Sequence, residues 1–492
     1  MLSRFYPKKK FILEPKIYQI PFYILTEYLS HRDLIRLSKI DPFLKREVYH
    51  KTKPFTYAVT NLKYTEIFSS TFKNVQLELT YENDAANSTP REVIKLKHIS
   101  SSIILEKVNH IKCTLLPHYP KIKAETESML ALINTKIPTL KSLAITYNHY
   151  FNDEYFDNLL NLENFDFRLC SPCAKHDPTM AALISDRGLT KLTNLKSLTL
   201  MFPNVTDQCF SCLIHLTKLD VRGNNNLSDK SIEKLTDLLN LSLTDIPNVT
   251  DQSISLLTNL QRLKIADVPT ISNEGIRHLT NLKCLSIRNN KNISHEGLQY
   301  LTNLERFSID SPNLFPLYFN KLNHLTITHN VPIDDRIFES TNSTALTSLT
   351  IHRNETLINQ SISGLTNLRK LKLLNVSKIT AAAFKNLRQL ECLHYDTTWK
   401  LYEKDLLHLT NLTSLTLICD EYIIDKGSSL KSLSGLTYLN LVCGQKYYSN
   451  AYKLFPNLIQ FKTADYRADD KRVPFKLVLI VVVIMLICLA LR

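Results

Sequence analysis

The sequence predicts an α/β solenoid, a stack of strand-turn-helix units, with a small helical module before it and an apolar helix after it. Three observations predict this. An L-x-x-L-x-L pattern returns about every 22 residues, many copies are followed by an apolar-Ser/Thr helix lead-in such as Ile293-Ser294, and the ends of the chain break the pattern in two different ways. The copies start at Leu140 and Leu162 and run on as Leu195-Leu198-Leu200, Leu216-Leu219-Val221, Leu238-Leu241-Leu243, Leu260-Leu263-Ile265, Leu282-Leu285-Ile287 and Leu304-Phe307-Ile309. After one irregular step they continue from Leu322, Leu346, Leu368, Leu390, Leu412 and Leu436 to Leu458-Phe461. One such unit cannot bury its apolar face alone, so neighbours must stack, with the strands on a concave side.

A unit such as Leu282 to Leu301, LKCLSIRNNKNISHEGLQYL, resembles a leucine-rich repeat of the I-[ST]-[DN]-x-G-L type. The resemblance implies a horseshoe-shaped solenoid across residues 140–465, with each helix led in by a pair such as Ile293-Ser294 and closed by residues such as Leu298 and Leu301. It also implies a polar ladder three residues past the third apolar position. Asn224, Asn290, Asn330 and Asn354 fit that ladder, whereas Ile246, Val268 and Val376 depart from it.

Near the N-terminus, residues 15–60 read as a helical module. Pro21 opens a run with Ile24, Leu25, Tyr28 and Leu29, and Asp33 starts a second run with Leu34, Leu37 and Ile40. Asp41-Pro42 stops it, because the residue before a proline is pushed out of the helical region. This stretch resembles an F-box, the helical module that docks on a Skp-type adaptor of cullin-RING ubiquitin ligases. Pro21, Ile24, Leu25, Leu29, Leu34 and Leu37 are then the adaptor-binding residues. Tyr23 stands where the family has an acidic residue, and the interval from Pro21 to Asp33 is about three residues short, nearly one helical turn. The alternative is a helical cap shielding the first repeat.

Residues 61–139 form a divergent region. Phe72-Val75-Leu77 and Val108-Ile111-Cys113 fit degenerate early repeats, and residues 82–90, ENDAANSTP, read as a polar loop. At the other end, residues 477–491 are an uncharged apolar run preceded by Arg467, Lys471, Arg472 and Lys476. Counted from Val473, with Lys476 snorkelling, residues 473–491 reach about 28 Å against a hydrocarbon core of roughly 30 Å. The expectation is a transmembrane tail anchor that keeps the array on the cytosolic face of an intracellular membrane; a terminal cap and a cytoplasmic chain are the alternative.

Chemistry-bearing motifs are sparse. No Walker loop, G-x-S-x-G, H-E-x-x-H or dinucleotide fingerprint occurs, so the chain is read as a non-enzyme that needs no cofactor. Ten cysteines, irregularly spaced, fit reduced thiols rather than a disulfide framework. Cys170, Cys173 and His176 in the loop after one strand, and Cys209, Cys212 and His215 further on, carry zinc-like spacing. Repeat alignment instead sets Cys212 opposite Leu256, as a core position, so no metal site is assigned.

The formal charge of +14 favours acidic partners. Side chains flanking the inward strand positions face outward, and there Lys218, Arg222, Arg262, Lys264, Arg288, Arg306, Lys370 and Lys372 form a basic stripe, opposed by Asp220 and Asp310. The expected partner is an acidic target protein held on the concave face, alongside the Skp-type adaptor, its cullin complex and the membrane. Nucleic acid is disfavoured, because no aromatic-basic stacking module is present.

Overall fold

The computed structural model describes residues 140–146, 151–168, 184–201, 204–311, 320–328, 345–397, 401–419, 433–443 and 455–463, short strands at 55–59, 75–83, 108–115 and 422–423, and single positions within 34–48 and at 338. The chain divides into two compact units, Met1–Asn303 and Leu304–Arg492.

Among the described residues of the first unit ten strands follow the chain: β1 (Phe55–Val59), β2 (Val75–Asn83), β3 (Val108–Leu115), β4 (Ser142–Thr146), β5 (Asn164–Arg168), β6 (Ser197–Met201), β7 (Lys218–Arg222), β8 (Asn240–Thr244), β9 (Arg262–Ala266) and β10 (Cys284–Arg288). Each pairs in parallel with the next. The register matches the repeat: Leu198, Leu219, Leu241, Leu263 and Leu285 stand in one row, and Leu200, Val221, Leu243, Ile265 and Ile287 in the next. Both rows are buried. In this unit the strands alternate with single-turn helices α1 (Asp186–Leu189), α2 (Asp207–Phe210), α3 (Asp229–Ile232), α4 (Asp251–Ile254), α5 (Asn273–Ile276) and α6 (His295–Leu298).

The second unit repeats this plan with β11 (Arg306–Asp310), β12 (His324–Ile327), β13 (Ser348–His352), β14 (Lys370–Leu374), β15 (Cys392–Thr397), β17 (Ser414–Cys419), β19 (Tyr438–Cys443) and β20 (Gln460–Thr463) paired in parallel in that order. Two short strands, β16 (Leu401–Tyr402) and β18 (Tyr422–Ile423), pair with each other, and α7 (Asn359–Ser363) follows β13. The irregular step in the sequence is absorbed without loss of register, since Phe307 pairs with Leu325 and Leu325 with Leu349.

Three polar devices hold neighbouring repeats at one spacing. The first is a left-handed residue after the strand: Gly223, Asp245, Asp267, Asn289, Arg353 and Asn375 have φ between 47° and 65°. Gly, Asn and Asp tolerate this region, and Arg353 is the exception. The turn points the backbone N–H at the next repeat, so Gly223 donates to the Thr244 carbonyl, Asp245 to Ala266, Asp267 to Arg288 and Arg353 to Leu374. The buried asparagine that follows in some repeats ties the turn down. Asn290 donates to the Val268 and Ile271 carbonyls (2.8 and 2.9 Å) and accepts from the Asn292 and Ile293 N–H groups (2.9 and 3.0 Å). Ile246, Val268 and Val376, which break that ladder, are buried as well, so the position is inward whatever occupies it.

The second device is the Asp or Asn immediately after most of the helix N-caps. Its side chain accepts from the N-cap N–H of the following repeat: Asp153 from Ser185, Asp186 from Thr206, Asp207 from Ser228, Asp229 from Thr250, Asp251 from Ser272, Asn273 from Ser294 and Asn359 from Thr380. A third row uses the Asn of the recurring Leu-Thr-Asn-Leu. Asn259, Asn281 and Asn303 each donate to the carbonyl of the threonine one repeat back, Thr236, Thr258 and Thr280. The heavy use of asparagine is therefore structural.

Two sequence expectations are corrected. In the divergent region Leu79, not Val75, pairs with Ile111, and Tyr81, not Leu77, with Cys113. Residues 75–81 alternate apolar and polar without interruption, so the period fixes the face but not which apolar residue meets its neighbour. Cys212 and Leu256, aligned as a core position, are both exposed, Leu256 at 53%. They follow the helical turn on its solvent side; the inward positions are Cys209 and Leu213, and Ser253 and Leu257. At the N-terminus Leu34 is helical and buried, and β1 occupies the last residues of the 15–60 span. Pro21, Ile24, Leu25, Leu29 and Leu37 lie outside the described residues, as do the polar loop 84–90, Asn330, the loop cysteines Cys170 and Cys173 with His176, and residues 473–491. Among the described residues no helix is long and apolar enough to cross a membrane.

Candidate protein-interaction face

Because successive side chains on a strand point to opposite sides, burying the leucine rows leaves three rows on the open side of the sheet. In the first unit one row runs Ser197, Lys218, Asn240, Arg262, Cys284. The next runs Thr199, Asp220, Ser242, Lys264, Ser286, and the last Met201, Arg222, Thr244, Ala266, Arg288. Lys218, Arg222, Arg262, Lys264 and Arg288 thus share one face, but in three rows rather than one stripe.

Some of these cations are neutralised within the chain. Arg222 reaches back along its own strand to Asp220 at 3.3 Å, as Arg168 does to Asp166 at 2.7 Å. Arg288 pairs with Asp267 at 2.5 Å, and that carboxyl is held below its usual range by the Asn289 amide and the Arg288 guanidinium, against burial. Lys218, Arg262 and Lys264 have no ion pair among the described residues. Lys264 is half-buried, and its ammonium is pushed below the usual lysine range by burial first, then by Arg222 and Arg288, with Asp220 opposing. Near it the Ser242 and Thr244 hydroxyl oxygens are buried without a hydrogen-bond partner among the described residues.

In the second unit the rows run Arg306, His324, Ser348, Lys370, Cys392, Ser414, Tyr438, Gln460 and Ser308, Thr326, Thr350, Lys372, His394, Thr416, Asn440, Lys462. With His352 in the third row, the face carries Arg306, Lys370 and Lys372 together with three histidines. Burial, then Arg306 and Lys370, lower the His324 pKa. Burial and Lys372, opposed by Asp396 and joined by His352, lower that of His394. The His394 Nε2 is buried without a hydrogen-bond partner among the described residues. Asp396 is pushed up by burial against the opposing pull of His394.

Sequence reasoning missed Ser242, Thr244, His394 and Asp396 as members of this face. The signal was present for all four, since each occupies an outward strand position. A tally of Lys and Arg alone passes over all four.

Among the described residues no group of three or more His, Cys, Asp or Glu is placed to hold a metal ion. Cys209 is buried and its thiol is pushed up by burial and by the Asp186 carboxylate, while Cys212 is exposed.

Parallel strands paired in repeat register, with buried leucine rows and single-turn helices, define the class: these are leucine-rich-repeat solenoid units. No family model matches the chain. No curated protein sequence matches it either. Among solved structures it is similar to a leucine-rich-repeat protein of Leptospira interrogans, at 16% identity over 83% of this chain and 95% of that one, with a TM-score of 0.40. An internalin from Listeria monocytogenes is similar at 19% identity over 57% of this chain and 85% of the other, with a TM-score of 0.38. The yeast Rad7 and Elc1 complex is similar at 16% identity, covering 68% and 87%, with a TM-score of 0.40.

Proposed function

We propose that this chain is a protein-binding scaffold that recruits targets to a cullin-RING ubiquitin ligase of the SCF type. The observation that carries the scaffold reading is the open strand face, where Lys218, Arg262 and Lys264 have no ion pair among the described residues and so attract an acidic partner. The ligase assignment rests on the F-box-like residues of the sequence. In this reading Pro21, Ile24, Leu25, Leu29, Leu34 and Leu37 build the adaptor-docking module, and residues 473–491 tether the array to the cytosolic face of an intracellular membrane. The chain contributes proximity, raising the local concentration of target lysines, while partner subunits perform the chemistry. A membrane-tethered scaffold without a ligase role is the second reading, favoured by the short interval between Pro21 and Asp33.

Co-precipitation of a Skp-type adaptor separates the two. The full chain is expected to retain the adaptor, and a version lacking residues 1–50, which leaves β1 in place to pair with β2, is expected to lose it. Capture by neither removes the ligase role.

A further inference from the structure

The positions around Ala266 differ from the rest of the open face. Ala266 is small and fully buried, with Thr244 beside it on β8, Arg288 beside it on β10 and Lys264 two residues earlier on its own strand. Ser242 pairs with Lys264, and Arg222 pairs with Thr244 from the far side. Adjacent strands lie about 4.8 Å apart, well within the reach of Lys and Arg side chains. The result is a short-walled floor of Ser242, Thr244 and Ala266 rimmed by Arg222, Lys264 and Arg288.

We propose that this floor and rim form a subsite for one phosphoryl group, carried on a phosphorylated serine or threonine of the protein partner. The inference rests on the reading of the open strand face as the contact surface and specifies what it recognises.

Charge, donors and size all favour a phosphate monoester over a carboxylate. Between β7 and β10 the face and its turns hold the cations Lys218, Arg222, Arg262, Lys264 and Arg288 against the carboxylates Asp220, Asp245 and Asp267, an excess of two positive charges. A phosphate monoester carries about −1.5 to −2 at neutral pH and has three strongly accepting oxygens. The Lys264 ammonium and the Ser242 and Thr244 hydroxyls supply three donors, and those hydroxyls have no partner among the described residues. A buried hydroxyl without a partner is destabilising, and a ligand oxygen would relieve it. The Lys264 ammonium is pushed down by burial first and then by Arg222 and Arg288, and Asp220 offsets this only in part, so an added anion would be favoured beside it.

The test is a titration of the full chain with a nonapeptide of glycine and serine bearing one central phosphoserine. Its controls are the unphosphorylated peptide, the peptide with glutamate at the centre, inorganic phosphate and oligouridylate RNA. The phosphopeptide is expected to bind at least tenfold more tightly than every control. Its affinity should fall at least tenfold in Lys264→Gln and in Arg288→Gln, and stay unchanged in Lys234→Gln, which lies after helix α3, away from the open face. The 31P resonance supplies a second readout, since binding should lower the phosphoserine pKa from about 6. Equal binding of the glutamate peptide, tighter binding of RNA or of free phosphate, or no binding overturns the proposal.

The parent reading is checked separately, by charge reversal at Arg262, Lys264 and Arg288 with a captured protein partner. Partner loss on reversal combined with indifference to phosphoserine sinks the phosphoryl subsite alone. Indifference of the partner to reversal sinks the contact face itself.

Discussion

At the scale of single residues, the most informative side chains are the carboxylates that follow several of the N-caps. Asp229 accepts from the Thr250 N–H at 2.8 Å, the Thr250 hydroxyl at 2.6 Å and the Ser253 hydroxyl at 2.6 Å, so one side chain satisfies three donors of the next repeat. Burial alone would raise its pKa, and the same opposition acts on Asp207. The bonds from Ser253 and Thr250, and from Ser228 and Ser231, outweigh it and hold both carboxyls below their usual range. Asp229→Ala leaves three donors unanswered and should cost about 2–3 kcal/mol, measured by equilibrium urea denaturation. Asp229→Asn should cost less, because Asn273 performs this capping natively, accepting from the Ser294 N–H at 2.8 Å and donating to its hydroxyl at 2.9 Å. A depressed folded-state pKa gives stability that is complete above the unfolded value, about 3.9, and is lost as pH falls through the folded value. The wild-type urea midpoint should therefore drop below about pH 4, and the drop should be smaller in Asp229→Ala. Equal midpoints of variant and wild type at pH 7 would refute the capping role.

At the scale of elements, one position decides how closely two single-turn helices approach. In α3 and α4 it is Ser231 and Ser253, whose hydroxyls donate to Asp207 and Asp229; in α5 and α6 it is glycine. A Cβ on Gly297 would lie 2.5 Å from the Asn273 Oδ1 and 2.9 Å from its Cα, and backbone cannot step aside as a side-chain end can. Gly364, closing α7, would present a Cβ to open space. Gly297→Ala should therefore cost about 1–3 kcal/mol, whereas Gly364→Ala should be neutral or stabilise by up to about 1 kcal/mol. Thermal unfolding of the two variants side by side checks the contrast. These elements also show what was legible beforehand. Leucine spacing gave strands, register and inward rows, because a parallel stack repeats one pairing and every copy reinforces it. The I-[ST]-[DN]-x-G-L pattern was visible, but the reach of its Asp or Asn into the next repeat was not, since such a contact lies about 21 residues away in sequence. The register of β2 was illegible for the opposite reason, an alternation too regular to distinguish Val75 from Leu79. On the open face the cations were legible from alternation, while their neutralisation was not. Arg288 meets an Asp267 that sits in a turn, off the strand pattern altogether.

At the scale of the whole molecule, the polar devices make repeats interchangeable, which a single globular core would not permit. Removing residues 239–260 joins Leu238 to Gln261 and deletes β8 and α4 as one full period. The new neighbours already have matching chemistry. Asp229 would face the N–H and hydroxyl of Ser272, which Asp251 receives at 2.7 and 2.5 Å in the intact chain. The Gly223 N–H would meet the Ala266 carbonyl in place of the Thr244 carbonyl, the same turn-to-strand bond one repeat on. The bond from Ser253 to Asp229 is lost with nothing to replace it, because Gly275 takes that place, and this costs about 1 kcal/mol. Solenoid stability is approximately a sum of repeat and nearest-neighbour contributions. The shortened chain should therefore stay folded, unfold cooperatively by circular dichroism, and melt only a few degrees lower. Removing residues 239–249 alone takes out the strand but leaves α4, so Leu238 is followed directly by Thr250 and Asp229 keeps a capping partner with no strand behind it. This shorter deletion should be the more damaging one. Equal melting of the two deletions would show that repeat register is not what holds the first unit together.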